Sequence, residues 1–195
     1  MKRCFDFSVA LIGLTIVSPL LLVLGVLVKV TSPGPVFYRQ TRVGLGFQPF
    51  QIIKFRTMVP DADKRGAALT AGRDPRITTV GHFLRKTKLD ELPQLINVLR
   101  GDMSFVGPRP EVPKYVDAYR DDYQELLSVR PGITDLASLR YRHESELLGQ
   151  ASDPEAMYLK QILPDKIALG KEYIQKQSLM LDLSLMVRTV LRMAG

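Results

Sequence analysis

The residues best equipped for chemistry lie in Lys88-Leu89-Asp90-Glu91-Leu92-Pro93. Two adjacent carboxylates stand there at the start of a helix predicted over residues 92–99. Its apolar Leu92, Leu95, Ile96 and Leu99 recur at helical spacing. With Asp90 as N-cap, Pro93 falls in the first turn, where its missing N–H costs least. The helix dipole and the free N–H groups then favour an anion such as phosphate. Arg85, Lys86 and Lys88 reinforce that field. A carboxylate so placed can attack phosphorus or bind a divalent cation, although Asp and Glu are also ordinary first-turn residues.

Other basic groups could join it. In Gly107-Pro108-Arg109-Pro110, two prolines fix the backbone around a guanidinium, a group that binds phosphate bidentately. Lys54-Phe55-Arg56 reads as a strand with both cations on one face. Arg130-Pro131-Gly132 is either a further cation or simply a helix stop. Asp61-Ala62-Asp63 spells the DxD pattern of some metal-dependent glycosyltransferases, a short match in a polar loop. There is no Walker A loop, and Gly44-Leu45-Gly46 lacks the third glycine of a dinucleotide fingerprint. With Cys4 the one cysteine, and His82 and His143 far apart, cysteine zinc sites are excluded and histidine-rich metal sites disfavoured.

The elements that must position these groups follow from patterning. The chain has 195 residues, 46% hydrophobic and 24% charged, which excludes wholesale disorder. A net charge of +7 favours anionic partners, but no aromatic–basic stripe of an RNA-binding module appears. Mean hydropathy is +0.02 despite the charge, because the apolar residues are concentrated at the N-terminus. Residues 7–28 carry no charge, at or above the roughly 20 residues a bilayer-crossing helix needs. The run is too long for a signal peptide, and no small-residue cleavage site follows. A plain spanning helix and a re-entrant helix kinked at Ser18-Pro19 remain. Ser18 could bond the carbonyl that Pro19 frees, and basic residues flank both ends.

Thr31-Ser32-Pro33-Gly34-Pro35 ends that element. Residues 36–42 and 50–58 predict a β-hairpin, and residues 60–76 a polar surface loop. Helices are predicted over 80–86, 92–99, 112–129 (stopped by Pro131-Gly132), 159–173 (broken at Pro164) and 179–193. The last is amphipathic, suits core, bilayer or a homodimer, and is expected to carry Asp182, Arg188 and Arg192 on one face. Residues 133–142 read as strand or loop.

Several stretches together resemble the bacterial sugar transferase family, the monotopic phosphoglycosyl transferases. They are Lys2-Arg3-Cys4-Phe5-Asp6-Phe7, Ser18-Pro19, Lys54-Phe55-Arg56-Thr57-Met58, Leu89-Asp90-Glu91-Leu92-Pro93-Gln94-Leu95, Asn97-Val98-Leu99-Arg100-Gly101-Asp102-Met103-Ser104-Phe105-Val106-Gly107-Pro108-Arg109-Pro110 and Arg130-Pro131-Gly132-Ile133-Thr134. The resemblance implies an α+β fold: a mostly helical small domain with a β-hairpin, amphipathic interface helices and a Ser-Pro-kinked re-entrant membrane helix. Residues 1–30 would form that helix, and residues 31–195 a catalytic domain on the cytoplasmic face of a bacterial inner membrane. The length matches the family's minimal form.

The implied reaction moves a sugar phosphate from a UDP-sugar to polyprenol phosphate and releases UMP. Asp90 would be the nucleophile, supported by Glu91 and Mg²⁺. Lys54, Arg56, Arg85, Arg109, Arg130 and Arg142 would hold substrate, and anionic lipid would take up further positive charge. Where better-known members read Gly-Trp-Ala-Gln after the Arg-Pro-Gly-Ile-Thr motif, this chain reads Asp135-Leu136-Ala137-Ser138. Uridine and sugar contacts in that stretch therefore do not carry over residue by residue, although Arg142 aligns with a basic position. The competing readings are a non-catalytic membrane scaffold and a conventional DxD glycosyltransferase.

Overall fold

A helix that contains a proline must find another donor for the carbonyl four residues earlier. In the computed structural model, which describes residues 2–62, 69–72 and 74–194, this happens in α1 (Lys2–Thr31), with Pro19 inside it. Ser18 Oγ donates to the Thr15 carbonyl at 2.8 Å, the bond Pro19 cannot make. Helical structure continues through Pro19, with the ladder patched there by a hydroxyl. Among the described residues α1 is the one helix long and apolar enough to cross a membrane. Asp6, Ala10, Leu24 and Val28 are buried against the rest of the chain. Leu11, Ile12, Ile16, Leu22, Val23, Val26 and Val30 are exposed.

Both ends of α1 are tied to that body by polar groups. At the start, Lys2 pairs with Asp182, and the Arg3 guanidinium donates to the Val98 and Leu99 carbonyls at 2.5 and 2.8 Å. Asp6 accepts from Ser104 Oγ at 2.8 Å. At the finish, the Arg56 guanidinium reaches the Ser32 carbonyl at 2.7 Å.

The hairpin forms from β1 (Phe37–Val43) and β2 (Pro49–Phe55), antiparallel, in register from Phe37 opposite Phe55 to Val43 opposite Pro49. A 3-10 turn at Leu45–Phe47 joins them, with Gly46 at φ 61°. The other edge of β2 is closed by one buried side chain. Asn97 Nδ2 donates to the Gln51 carbonyl at 2.8 Å, and Asn97 Oδ1 accepts from the Ile53 amide at 3.0 Å. This fixes α3 (Gln94–Arg100) across the strand. Before it, α2 (Thr79–Thr87) is N-capped by Thr78, whose Oγ1 accepts from Gly81 N at 2.9 Å.

A second sheet is parallel: β3 (Ser104–Val106) beside β4 (Gly132–Thr134). The two strands run into Gly107 and out of Pro131 so closely that glycine is needed on both. A Cβ on Gly132 would lie 2.2 Å from Gly107 N.

The remaining helices depart from expectation in several places. The helix expected over 112–129 is two, α4 (Pro113–Ala118) and α5 (Arg120–Leu126). They part at Tyr119, where φ is −130° and the hydroxyl donates to the Leu159 carbonyl at 2.7 Å. The tyrosine's tertiary bond outweighs continued helix. Residues 133–142 become β4 followed by α6 (Leu136–Arg140), because Asp135 caps α6 by accepting from Ser138 N at 2.6 Å. α7 (Glu144–Gly149) was not foreseen. α8 (Pro154–Met157), a π-helical turn at Tyr158–Ile162 and α9 (Leu163–Lys176) follow in sequence. Pro164 does not break the run, since it sits in the first turn of α9, where its N–H is not required. α10 (Leu179–Ala194) closes the chain as expected. Arg188 and Arg192, four residues apart and both exposed, share a face as expected, but Asp182 is off it and buried; Arg192 reaches the Leu139 carbonyl.

The largest apolar cluster gathers Tyr115, Tyr123, Leu126, Tyr158, Leu163 and Ile167 beneath α4, α5 and α9. A smaller one joins Val106, Tyr173 and Leu185.

The β3–β4 contact yields the first prediction. Gly132→Ala forces backbone apart and should destabilise the fold by about 1–3 kcal/mol. Thermal unfolding measures it, and an unchanged midpoint would show that the approach is less tight than described.

Candidate active site

The carboxylate pair is set by an unusual turn. Lys88 adopts the left-handed conformation at φ 57° and swings the chain from α2 into a 3-10 turn, Leu89–Glu91. Pro93, and not Asp90, then borders α3. The N-cap expected of Asp90 is therefore corrected: the tight turn at Lys88 ends before α3 begins. α3 is also short, so the field on an anion here comes from side chains more than from a helix end.

Glu91 is the better-held carboxylate. Its Oε1 accepts from Lys54 Nζ at 2.8 Å and from the Arg109 guanidinium in a very short contact. Arg109 is fixed in turn: its Nη1 donates to the Ile133 carbonyl at 3.0 Å and its own N–H to Asp135 Oδ2 at 3.1 Å. Burial alone would raise the Glu91 pKa, but the Arg109 and Lys54 charges outweigh it and hold the carboxyl well below its ordinary range. Burial pulls the Lys54 ammonium down, with Glu91 opposing and the neighbouring Arg109 charge adding to the effect.

Asp90 is the opposite case. It is buried, and its Oδ1 has no hydrogen-bond partner. Burial and then the Glu91 charge push its pKa up, against the pull of Lys54, Arg85 and Lys88. Environment thus splits two adjacent carboxyls into different roles, one neutralised by its partners and one unsatisfied, the pattern that marks a reactive acid.

Both line an open cleft of about 2150 Å³. Lys54, Arg85, Arg109 and Arg142 lie on its wall with them. Arg85 is oriented by Thr57, to whose Oγ1 its Nε donates at 2.8 Å, and by Thr70 at 3.3 Å. Two of the expected ligands are engaged elsewhere. Arg56 borders the cleft; its Nη2 bonds the end of α1, while its buried Nε and Nη1 have no hydrogen-bond partner. Arg130 is not on the wall; its Nε donates to the Gly101 carbonyl at 2.9 Å. Of the DxD pair, Asp61 lines the cleft and Asp63 lies outside the described residues. Ser18 and Pro19 belong to α1, away from this cleft.

Sequence reasoning missed Thr57 and Asp135 as positioning residues. Asp135 was readable in principle, since Asp-x-x-Ser is a helix-start pattern. Among the described residues no group of three or more His, Cys, Asp or Glu forms a metal cage. Asp90 nonetheless fits a cation that takes few protein ligands, because its buried Oδ1 lacks a partner.

The cleft gathers cations around two carboxyls, an arrangement whose charges suit a phosphate-bearing ligand. The chain matches the bacterial sugar transferase family over residues 1–195. It is 42% identical over 192 residues to the UDP-glucose:undecaprenyl-phosphate glucose-1-phosphate transferase of Caulobacter vibrioides, covering 97% of this chain and 68% of that one. It is 39% identical over 193 residues to the UDP-N-acetylgalactosamine-undecaprenyl-phosphate N-acetylgalactosaminephosphotransferase of Aeromonas hydrophila, covering 97% and 43%. It is 37% identical over 196 residues to the UDP-glucose:undecaprenyl-phosphate glucose-1-phosphate transferase of Escherichia coli K12, covering 98% and 40%. The chain belongs to the bacterial sugar transferase family and is an enzyme of the phosphoglycosyl transferase class.

Removing the charge of Glu91 tests its anchoring role. Glu91→Gln leaves two half-buried cations facing a neutral amide and should cost about 3 kcal/mol of stability. Chemical denaturation reads this, and a loss under about 0.5 kcal/mol would demote the triad to a solvated surface pair.

Proposed function

We propose that the protein transfers a sugar phosphate from a UDP-sugar to a polyprenol phosphate, with undecaprenol as the acceptor suggested by its relatives' names. The observation that carries this reading is the buried Asp90 carboxyl, whose Oδ1 has no hydrogen-bond partner, among cations in one cleft. An Asp90 oxygen attacks the sugar-bearing phosphorus. The bond from that phosphorus to the bridging oxygen breaks, and UMP departs with that oxygen. Asp90 then carries the phosphosugar as an acyl phosphate. A phosphate oxygen of the polyprenol phosphate attacks the same phosphorus, the bond to Asp90 breaks, and the carboxylate is restored.

Each step brings anion to anion, so the cations of the cleft are essential. Arg85 and Arg109 face the transferred phosphate, and Lys54 holds Glu91 from the other side. Mg²⁺ fits beside Asp90, with Glu91 as second carboxylate, and when bound would offset charge on the donor's diphosphate. Arg142 stands where nucleotide or sugar would extend along the cleft. The uncharged span of α1 is re-entrant, with both ends and the catalytic body on the cytoplasmic face of the inner membrane. The support is that both ends of α1 bind the same body.

Nucleotide release decides the reaction class. Protein in nanodiscs with Mg²⁺, undecaprenyl phosphate and a panel of UDP-sugars should yield UMP from one donor. Asp90→Asn should lower that rate by at least about 10⁴-fold, on the scale of losing a catalytic nucleophile. UDP in place of UMP would indicate plain sugar transfer, and no nucleotide from any donor would favour the scaffold.

The same residue predicts pH behaviour. Its pKa is raised, so the attacking carboxylate is lost to protonation at a higher pH than for an ordinary aspartate. The acid limb of kcat/KM should therefore fall above the usual pKa of about 3.9. For stability the sign is opposite: a raised carboxyl pKa favours the fold at low pH, and that share is lost as pH rises through the folded-state value. Asp90→Asn should accordingly unfold at a higher temperature than the parent at pH 7; a lower midpoint would contradict the buried-charge assignment.

A further inference from the structure

Arg56 looks from sequence like a phosphate ligand, two residues from Lys54 on the same face of a strand. Its surroundings are those of a different device. The side chain is buried, and it is the group that meets the end of α1. Its Nη2 donates to the Ser32 carbonyl at 2.7 Å, to Ser32 Oγ at 3.0 Å and, at 3.4 Å, to the Val28 carbonyl. The last turns of a helix leave carbonyls without intrahelical donors, and the dipole places partial negative charge there. A guanidinium answers both needs. The fit is close: Gly34, at φ 114°, follows the helix, and a Cβ there would lie 2.5 Å from Arg56 Nη1. The apolar clasp around this end joins Leu24 and Val28 to Phe55 and Leu84.

We infer that Arg56 is a positioning residue that latches the exit end of the membrane helix to the strand carrying Lys54. Through Lys54 that strand bears on Glu91, and so on the turn holding Asp90. Displacing the exit end of α1 would disturb the catalytic carboxylates without removing any group that touches substrate. The inference deepens the proposed transfer reaction and rests on it for its kinetic readout.

The test uses the full chain in nanodiscs and compares Arg56→Lys, Arg56→Met and Ser32→Ala with the parent. Two measurements are made: amide hydrogen exchange over residues 25–36, and UMP release with the polyprenol phosphate varied. Arg56→Met should speed exchange in that segment about tenfold or more and lower kcat while the acceptor KM changes less than about twofold. Ser32→Ala, which keeps the guanidinium, should do the same to a smaller degree. Arg56→Lys, which retains a donor and a charge, should restore part of both.

A rise in acceptor KM of about tenfold with unchanged exchange would make Arg56 a phosphate ligand and overturn the latch. Unchanged exchange and kinetics would overturn it as well. Should Arg56→Met fail to fold, Ser32→Ala and Arg56→Lys carry the same comparison. The re-entrant reading is checked separately. The native Cys4 and a cysteine placed by Val30→Cys are probed in intact cells with a membrane-impermeant maleimide. Labelling of one end alone from outside refutes re-entry, whereas the exchange result still decides the latch. If no UDP-sugar yields UMP from the parent, the transfer reading fails, and accelerated exchange in Arg56→Met and Ser32→Ala alone sustains the structural half of the inference.

Discussion

The carboxylate of Glu91 is where three separate stretches of chain meet. Lys54 arrives from β2, Arg109 from the loop after β3, and Glu91 itself from the turn between α2 and α3. None of these pieces is held in place by regular structure alone. The turn is three residues of 3-10 helix, and the Arg109 loop sits between two prolines. A shared, half-buried ion triad locates all three, and two positive charges on one carboxylate leave a net positive field beside Asp90. The burial of Glu91 would be unfavourable without both partners, so the triad is a condition for the site and not an addition to it.

Around this point the structure builds rigid support of a particular kind. Arg109 is aimed by a main-chain carbonyl and by Asp135, which also caps α6. The loop is carried by β3 and β4, where Gly107 and Gly132 allow backbones to approach more closely than any side chain permits. Asn97 secures β2 from its open edge. Apart from the glycine approach, each device uses a side chain to satisfy main-chain groups on a neighbouring element. That is how a chain with only two short sheets among its described residues can hold the geometry of the cleft.

How much of this was legible in the sequence depends on the range of the interaction. The hairpin was read to within a residue for β1, because alternation and glycine placement are local signals; β2 stops three residues short of its expected end. The Asp90-Glu91 pair, Lys54, Arg85 and Arg109 were named, and they do converge on one cleft. The split helix at Tyr119 was not legible, since its cause is a bond to a carbonyl forty residues away. Nor was the displacement of Asp90 from the N-cap, because it follows from a left-handed Lys88, a conformation that residue type does not announce. Arg56, named for the cleft, does line it, but its bonds to the end of α1 were not legible. Period-two alternation gives the face a strand residue occupies, but not which of two neighbours on that face, a carboxylate or a helix end, the side chain will reach.

Asp182 shows the same logic at the other end of the molecule. It is the one acid of an amphipathic helix, in its first turn, and sequence offered no role for it. In the fold it is buried, pairs with Lys2 at the start of α1, and accepts from the Tyr173 hydroxyl at 2.6 Å. The same hydroxyl oxygen lies 3.1 Å from the Val106 carbonyl, on the strand that leads into the Arg109 loop. With its one acid turned inward, α10 leaves Leu179, Met180, Leu183, Val187, Val190 and Leu191 exposed, as α1 leaves its own apolar side chains. Exposed apolar residues on this scale are costly in water and natural against lipid. Lys2, Arg3 and Asp6 of α1 and Asp182 of α10 are spent on binding the body, which leaves the outward faces of both helices largely apolar. On the proposed reading, the contacts that orient the catalytic loop are therefore the same ones that decide which surface the enzyme turns to its lipid substrate.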